Sequence, residues 1–395
     1  MEIRRFSFVI HPLTIKEIHD HPLYRWTRYL PDALVESCAA FMPPIFISKV
    51  KGIVSPATGQ QVEGYLYALS ATPQQMLKHR PEFTYNRVIG AARMAAKKGA
   101  GIIGLGAFTS VVGDAGYTIA ERSPIGVTSG NSLTAAAAIE AARMGLIKMG
   151  ADDLSQRCVM VVGATGSIGS AVARVITQET NSLVLISRTM NKLEALKQKM
   201  LEQYPSANIR YGTNASEFLP ECDVIISATS AFGQRVIDIS QCKPGAVICD
   251  VARPQDLNEQ EASLRPDVLV IDSGEVKLPG NVDIGYNIGL EPGVVFACMA
   301  ETILLSLEGR FDHYTLGRDL EVEKVQEMLQ LFKKHGFQLA PLRSFNRPVT
   351  DEEFTQKRKL ADEMLADDTL RQRIVAEAAE KIATMTPMAK GVKQA

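Results

Sequence analysis

The sequence predicts an α/β protein: a Rossmann-like, doubly wound parallel sheet at the centre, an N-terminal α/β substrate domain before it, and C-terminal helices after it. Three observations lead there. Short apolar runs alternate with helix-prone stretches from Arg157 to Asp272, the pattern of βαβ units. Gly163, Gly166 and Gly169 fall between one such run and a helical stretch, as a strand–turn–helix requires. At 395 residues the chain is long enough for two or three domains of ~100–200 residues each, divided as 1–150, 151–293 and 294–395.

In the first segment, Phe6 to Ile10, Ile45 to Val50 and Val62 to Leu69 read as strands. Leu13 to Tyr29, Pro73 to Lys98 and Ser132 to Met149 read as helices. The last of these is alanine-rich, which suits a close-packed connecting helix, and Lys148 to Ser155 reads as the link onward. Two loops, Gly104 to Gly113 and Gly126 to Asn131, gather glycines and hydroxyls. Each fits either a loop that closes on a ligand or a tight turn between buried elements.

In the centre, Arg157 to Val162 is an apolar strand, Gly163 to Gly169 the turn, and Ser170 to Glu179 a helix with Ala171, Val172, Val175 and Ile176 on one face. Further strands are expected at Ser182 to Ser187, Asn208 to Tyr211, Val224 to Ser227, Ala246 to Val251 and Val268 to Asp272, with a helix over Met190 to Tyr204. The turn Gly163-Ala164-Thr165-Gly166-Ser167-Ile168-Gly169 departs from G-x-G-x-x-G, but the physics is shared. One glycine permits the tight turn, one lets backbone approach a pyrophosphate, and one lets helix pack on strand. The helix N-terminus then offers N–H groups to the anion.

The next strand's tip reads Ser187-Arg188-Thr189. NAD sites place Asp or Glu there to hold the ribose hydroxyl. Here hydroxyls and a guanidinium stand instead, which suits a 2′-phosphate and points to NADPH; a solvent-facing arginine is the alternative. Ser227-Ala228-Thr229-Ser230 closes a strand with small residues, so the cofactor could pass close by, as could an ordinary turn. Asp250 and Asp272 also end strands, where capping is as good an explanation as ligand contact.

After Pro292-Gly293, Val294 to Leu307 reads as an apolar helix stopped by Gly309, and Glu321 to His335 as another with Gly336 past its end. Asp351 to Thr384 is charged and helix-prone, and Pro387 to Ala395 reads as a frayed tail. Cys298 falls near the start of the first of these helices, where a helix N-terminus favours thiolate. It could act as a nucleophile for an acyl group, although a cysteine among Phe, Ala and Met also suits a buried small hydrophobe. Cys158 and Cys249 lie inside expected buried strands, and Cys222 and Cys242 near connections. No C-x-x-C or zinc spacing occurs, so no structural metal is expected.

Basic and acidic residues number 43 and 44, a balance that argues against a nucleic-acid partner. No apolar run reaches the ~18 residues of a spanning helix, and the opening residues lack a signal-peptide core, which predicts a cytoplasmic protein.

Gly104 to Ser110, Thr128 to Asn131, Val161 to Ser170, Phe296 to Glu301, Leu307 to Gly309 and a helix ending His335-Gly336-Phe337 occur in that order. Together they resemble the long-chain acyl-[acyl-carrier-protein] reductases of cyanobacterial alkane synthesis, relatives of predicted amino-acid and shikimate-type dehydrogenases, over roughly residues 45 to 340. The resemblance implies transfer of a fatty acyl group from acyl-carrier-protein or CoA to a cysteine, here Cys298, and reduction by NADPH to an aldehyde. A downstream aldehyde-consuming enzyme is an implied partner. Ser129 and Asn131, with backbone amides, are the candidates to hold the thioester oxygen, and an apolar tunnel is expected between the domains. Family members commonly carry a histidine two residues beyond the loop asparagine, where this chain has Leu133. A shikimate- or amino-acid-type dehydrogenase would instead need an acid–base pair, for which Lys97, Lys98 and Asp114 are the nearest candidates. A noncatalytic NADPH-binding regulator is the third reading.

Overall fold

The computed structural model describes residues 2–229, 234–252 and 255–385. Ser230 and the tail from Pro387 lie outside the described residues. The chain begins with β1 (Arg4–Ile10), α1 (Ile15–Asp20), a 3-10 stretch (Pro22–Tyr29), α2 (Asp32–Ala40), β2 (Ile45–Val54) and β3 (Gln61–Ala68). Then come α3 (Pro73–Lys78), α4 (Pro81–Lys97), β4 (Ile102–Leu105), α5 (Tyr117–Arg122), β5 (Gly126–Thr128) and α6 (Asn131–Lys148). Two expected helices are therefore shorter than their apolar patterns suggest. Pro22 ends the α-helical path of the first, and Pro81 splits the second, because proline lacks the N–H and disfavours helix in the residue before it.

The centre holds β6 (Cys158–Val162), α7 (Ser167–Ile176), β7 (Ser182–Ile186), α8 (Met190–Gln203), β8 (Ile209–Gly212), β9 (Val224–Ser227), β10 (Val247–Asp250), α9 (Glu259–Ser263) and β11 (Leu269–Asp272). The chain continues through β12 (Glu275–Lys277), β13 (Gly280–Asp283), β14 (Val294–Phe296), α10 (Ala297–Glu308), α11 (Val322–Lys334), β15 (Gln338–Leu339), β16 (Arg343–Ser344) and β17 (Arg347–Pro348). It ends in α12 (Asp351–Ala366) and α13 (Asp368–Thr384). Val294–Phe296, expected to open a helix, is a strand paired antiparallel with β12; three apolar residues in a row carry no period that separates the two. The helix-prone stretch from Asp351 to Thr384 forms two helices that meet at Asp367, whose carboxylate caps the second.

The first sheet runs β13-β2-β3-β1-β4-β5 and the second β17-β16-β11-β10-β9-β6-β7-β8. From β11 to β8 every pairing is parallel. This is the Rossmann order, with its reversal between β6 and β9, and ligands of such sheets bind at the carboxyl ends of the strands beside that reversal.

Helix α6 joins the two sheets and packs on α7, α10, α11 and β10. Its alanines at 135–138, 141 and 142 are all buried, so the helix lies close to everything around it. A side chain at Gly145 would meet Val247 at 2.9 Å. Helix α10 in turn covers β1 and β4, and a methyl at Gly104 would strike Thr302 at 2.1 Å. Among the described residues no helix is long and apolar enough to cross a membrane.

Candidate active site

The glycine turn follows β6 directly. Gly163 takes φ +83°, and a Cβ there would lie 2.5 Å from the Ala228 carbonyl. A Cβ at Gly169 would lie 2.3 Å from the Gly163 carbonyl, so this glycine lets α7 close on the turn. Gly166 caps α7 with no side-chain hydrogen bond, and its Cβ direction is only mildly hindered, at 3.2 Å. The helix N-terminus therefore keeps its N–H groups available to an anion.

Around this turn the expected cofactor residues gather. Thr165 Oγ1 and Ser187 Oγ are 2.6 Å apart, which ties the turn to the tip of β7. Arg188 and Thr189 are exposed beside them, with no carboxylate at that tip. Ala228 abuts Gly163, while Ser227 and Thr229 donate to Asp256 at 2.6 and 2.7 Å. Asp256 escaped the sequence reading because the contact crosses a loop of no recognisable pattern. These residues fit a dinucleotide, whose pyrophosphate the α7 N-terminus would hold. Asp250 accepts from the backbone of Ala252, Asp256 and Leu257, and Asp272 from Gln255 and Asn346; both hold loops.

Cys298 is the second residue of α10 and is half-buried. Gly130, at φ +75°, lies against it: a Cβ there would be 2.3 Å from Cys298 Cα. The next residue, Asn131, opens α6 and donates from Nδ2 to Ser167 Oγ at 3.3 Å. Two contacts thus link the cysteine to the glycine turn, and the N-termini of α6, α7 and α10 meet. Backbone N–H groups of Met299, Ala107 and Cys298 itself face the sulfur. Ala107 reaches it from the Gly104 to Gly113 loop in a left-handed conformation, φ +47°, uncommon for a residue with a side chain. Ser129 Oγ, in a residue 1% exposed one position before Gly130, has no hydrogen-bond partner among the described residues, so this buried hydroxyl is free to donate to a ligand.

One expectation fails. The thiol of Cys298 is not held low by the helix N-terminus. Burial pushes it up to about 11, outweighing the N–H donors that lower it. At rest Cys298 is therefore a thiol. Cys298 lines neither the cavity of about 230 Å³ bounded by Tyr117, His313 and Lys324 nor the smaller one beside Ser273 and Leu342.

Behind the cysteine, Glu301 is fully buried. It accepts from Thr128 Oγ1 at 2.5 Å, Thr315 Oγ1 at 2.7 Å and the Leu133 N–H at 2.9 Å. Burial raises its pKa against these donors. Glu301 fastens the Thr128 to Leu133 loop to α10. Its signal was a carboxylate set among apolar residues in the body of the helix. Leu133, where the resembled family carries histidine, is 1% exposed and meets Glu301 through its backbone.

The acid–base candidates are not brought here. Lys97 and Lys98 sit exposed at the end of α4, and Asp114 accepts from Thr118.

The sequence profile of the shikimate/quinate 5-dehydrogenase family matches residues 145–275, which are the Rossmann unit and the helix end leading into it. The chain is 36% identical over 301 residues to the aminotransferase PigE of a Serratia species, covering 75% of this chain and 34% of that one. It therefore spans about a third of PigE's length. It is 27% identical over 313 residues to the long-chain acyl-[acyl-carrier-protein] reductase of Synechococcus elongatus, covering 75% of this chain and 87% of that one. Quinate dehydrogenase from Corynebacterium glutamicum aligns with a TM-score of 0.35 and 13% identity, over 64% of this chain and 81% of that one. The profile match and the dinucleotide turn support a relation to shikimate-type dehydrogenases and an NAD(P)-dependent oxidoreductase.

Proposed function

We propose that the chain reduces a fatty acyl thioester, carried on acyl-carrier-protein or CoA, to an aldehyde through an acyl group on Cys298. The observation that carries this reading is the meeting of Cys298 with Gly130 while Asn131 holds Ser167 of the glycine turn. A nucleophile beside a dinucleotide site suits acyl capture followed by reduction. The relative from Synechococcus elongatus bears the name of this activity.

Cys298 Sγ attacks the acyl carbonyl, the carrier's C–S bond breaks, and the thiol proton leaves with the carrier sulfur. With the thiol at about 11, proton loss accompanies attack rather than preceding it. The unpartnered Ser129 hydroxyl is the group available to donate to the carbonyl oxygen as charge develops. Gly163 to Gly169, Ser187, Arg188, Thr189, Ser227, Ala228 and Thr229 would hold NADPH, which supplies a hydride when bound. Arg188, exposed where no carboxylate stands, favours the 2′-phosphate form. Once the acyl carbon is reduced, the bond to Cys298 Sγ breaks and the aldehyde leaves.

The test is intact mass after incubation with palmitoyl-CoA in the absence of NADPH. A single acyl adduct mapped to Cys298, missing in Cys298→Ser together with aldehyde formation, is expected. An unmodified wild-type mass with full reduction by Cys298→Ser would overturn the reading.

A further inference from the structure

A pair of sulfurs lies at the opposite end of β6 and β9 from the glycine turn. Cys158 is the first residue of β6, and Cys222 stands two residues before β9. Their Sγ atoms are 3.5 Å apart, against ~2.05 Å in a disulfide. Cys158, expected within a buried strand, is half-buried at the strand's open end, whereas Cys222 is fully buried. Arg210 Nη2 donates to Cys158 Sγ at 3.6 Å while Nη1 holds Glu221 at 2.7 Å. Asp223 completes the surroundings: its carboxylate accepts from the Cys158 N–H at 2.9 Å and pairs with Lys243 at 2.7 Å and Arg157 at 3.8 Å. The proposed reaction uses neither cysteine.

We propose that Cys158 and Cys222 are a peroxide-oxidisable dithiol, a reversible modification site at the foot of the dinucleotide-binding sheet. The two sulfurs have distinct parts. Cys158 is the attacking sulfur, since the Cys222 S–H bonded to it and the Arg210 charge hold it down to about 6. Cys222 is pushed up by that same bond and by burial, and keeps its proton.

The steps balance. Cys158 thiolate attacks one oxygen of a hydroperoxide, and the O–O bond breaks. The sulfur is oxidised by two electrons to sulfenic acid, and the peroxide is reduced to an alcohol or water. Cys222 Sγ then attacks the sulfenic sulfur, the S–O bond breaks, and hydroxide leaves as water with the Cys222 proton. The sulfurs have to close from 3.5 Å to ~2.05 Å. The resulting bond ties the starts of the two strands whose far ends carry Gly163 and Ser227.

The test treats the full-length protein with a small excess of hydrogen peroxide, followed by intact mass and peptide mapping without reductant. The expected result is a loss of about 2 Da in one step, with the Cys158 and Cys222 peptides joined and released again by dithiothreitol. Cys222→Ser is expected to trap the sulfenic acid on Cys158 as a dimedone adduct. Wild-type protein whose peptides remain unjoined, with peroxide consumed at Cys38 or Cys298 instead, would overturn the proposal. So would Cys158 advancing to sulfinic acid while Cys222 stays free.

Discussion

His11 shows how much one residue can contribute to the site from outside it. It directly follows β1 and is 8% exposed. Its Nδ1–H donates to the Pro12 carbonyl at 3.0 Å, which leaves Nε2 to accept from the Phe108 N–H at 2.9 Å. Phe108 follows Ala107, whose own N–H faces Cys298. Burial lowers the His11 pKa from 6.5 to about 4. The unfolded chain therefore binds the proton first, and stability falls as pH drops from 6.5 towards 4. From pH 7 to 4.5 the loss from this residue is about 2–3 kcal/mol. Urea unfolding of the wild type against His11→Gln at both pH values measures it: the variant's loss over that interval should be smaller by about that amount. Equal losses would mean that the ring takes up no proton on unfolding.

At the scale of elements, the site depends on α6 and α10 starting side by side. Gly130→Ala introduces a methyl 2.3 Å from Cys298 Cα, at φ +75°. Gly59→Ala carries a similar backbone strain, φ +69°, with nothing within 4 Å, so it separates strain from collision. Gly59→Ala should cost about 1 kcal/mol and leave acylation of Cys298 unchanged. Gly130→Ala should cost about 2–4 kcal/mol and slow acylation more than about tenfold, because the first turn of α10 has to move. Thermal unfolding and the rate of adduct formation report the two effects. The elements also show what a sequence discloses. The strand–turn–helix at Gly163 is readable because its glycines, apolar strand and helical period all agree. Cys298, Ser129 and Asn131 are named as candidates by their motif and loop, and the meeting of Gly130 with Cys298 brings those two segments together. The Ala107 amide is not readable, since it reaches the sulfur through a left-handed backbone that its side chain does nothing to announce. Nor is β14, whose apolar run pairs with Glu275–Lys277 only because the fold brings that strand to it. Glu301 lies between these cases: its oddity in an apolar helix is visible, its three donors are not.

At the scale of the molecule, the chain does not finish one sheet before starting the next. After β11 it returns to the first sheet, where β13 pairs antiparallel with β2 at the edge, and α10 then covers β1 and β4. Later β16 and β17 extend the second sheet, and Ile382 of α13 joins its buried apolar cluster. Phe6 and Phe8 share one apolar cluster with α6 and α10, so the first sheet without α10 exposes two aromatic rings worth roughly 1.5–3 kcal/mol each. It would also present β2 as an open edge. Residues 1–150 alone should therefore lack a cooperative thermal transition by circular dichroism, and mixing with residues 151–395 should restore it. A cooperative transition in the isolated fragment would show that the first sheet is self-sufficient. The opposed N-termini of α6 and α10 would then be a docking contact between finished units, free to open and close over Cys298. If the transition appears only in the mixture, the sulfur and the glycine turn are held in place by the same folding event that completes the first sheet, and acyl capture cannot be separated from the assembly of the whole chain.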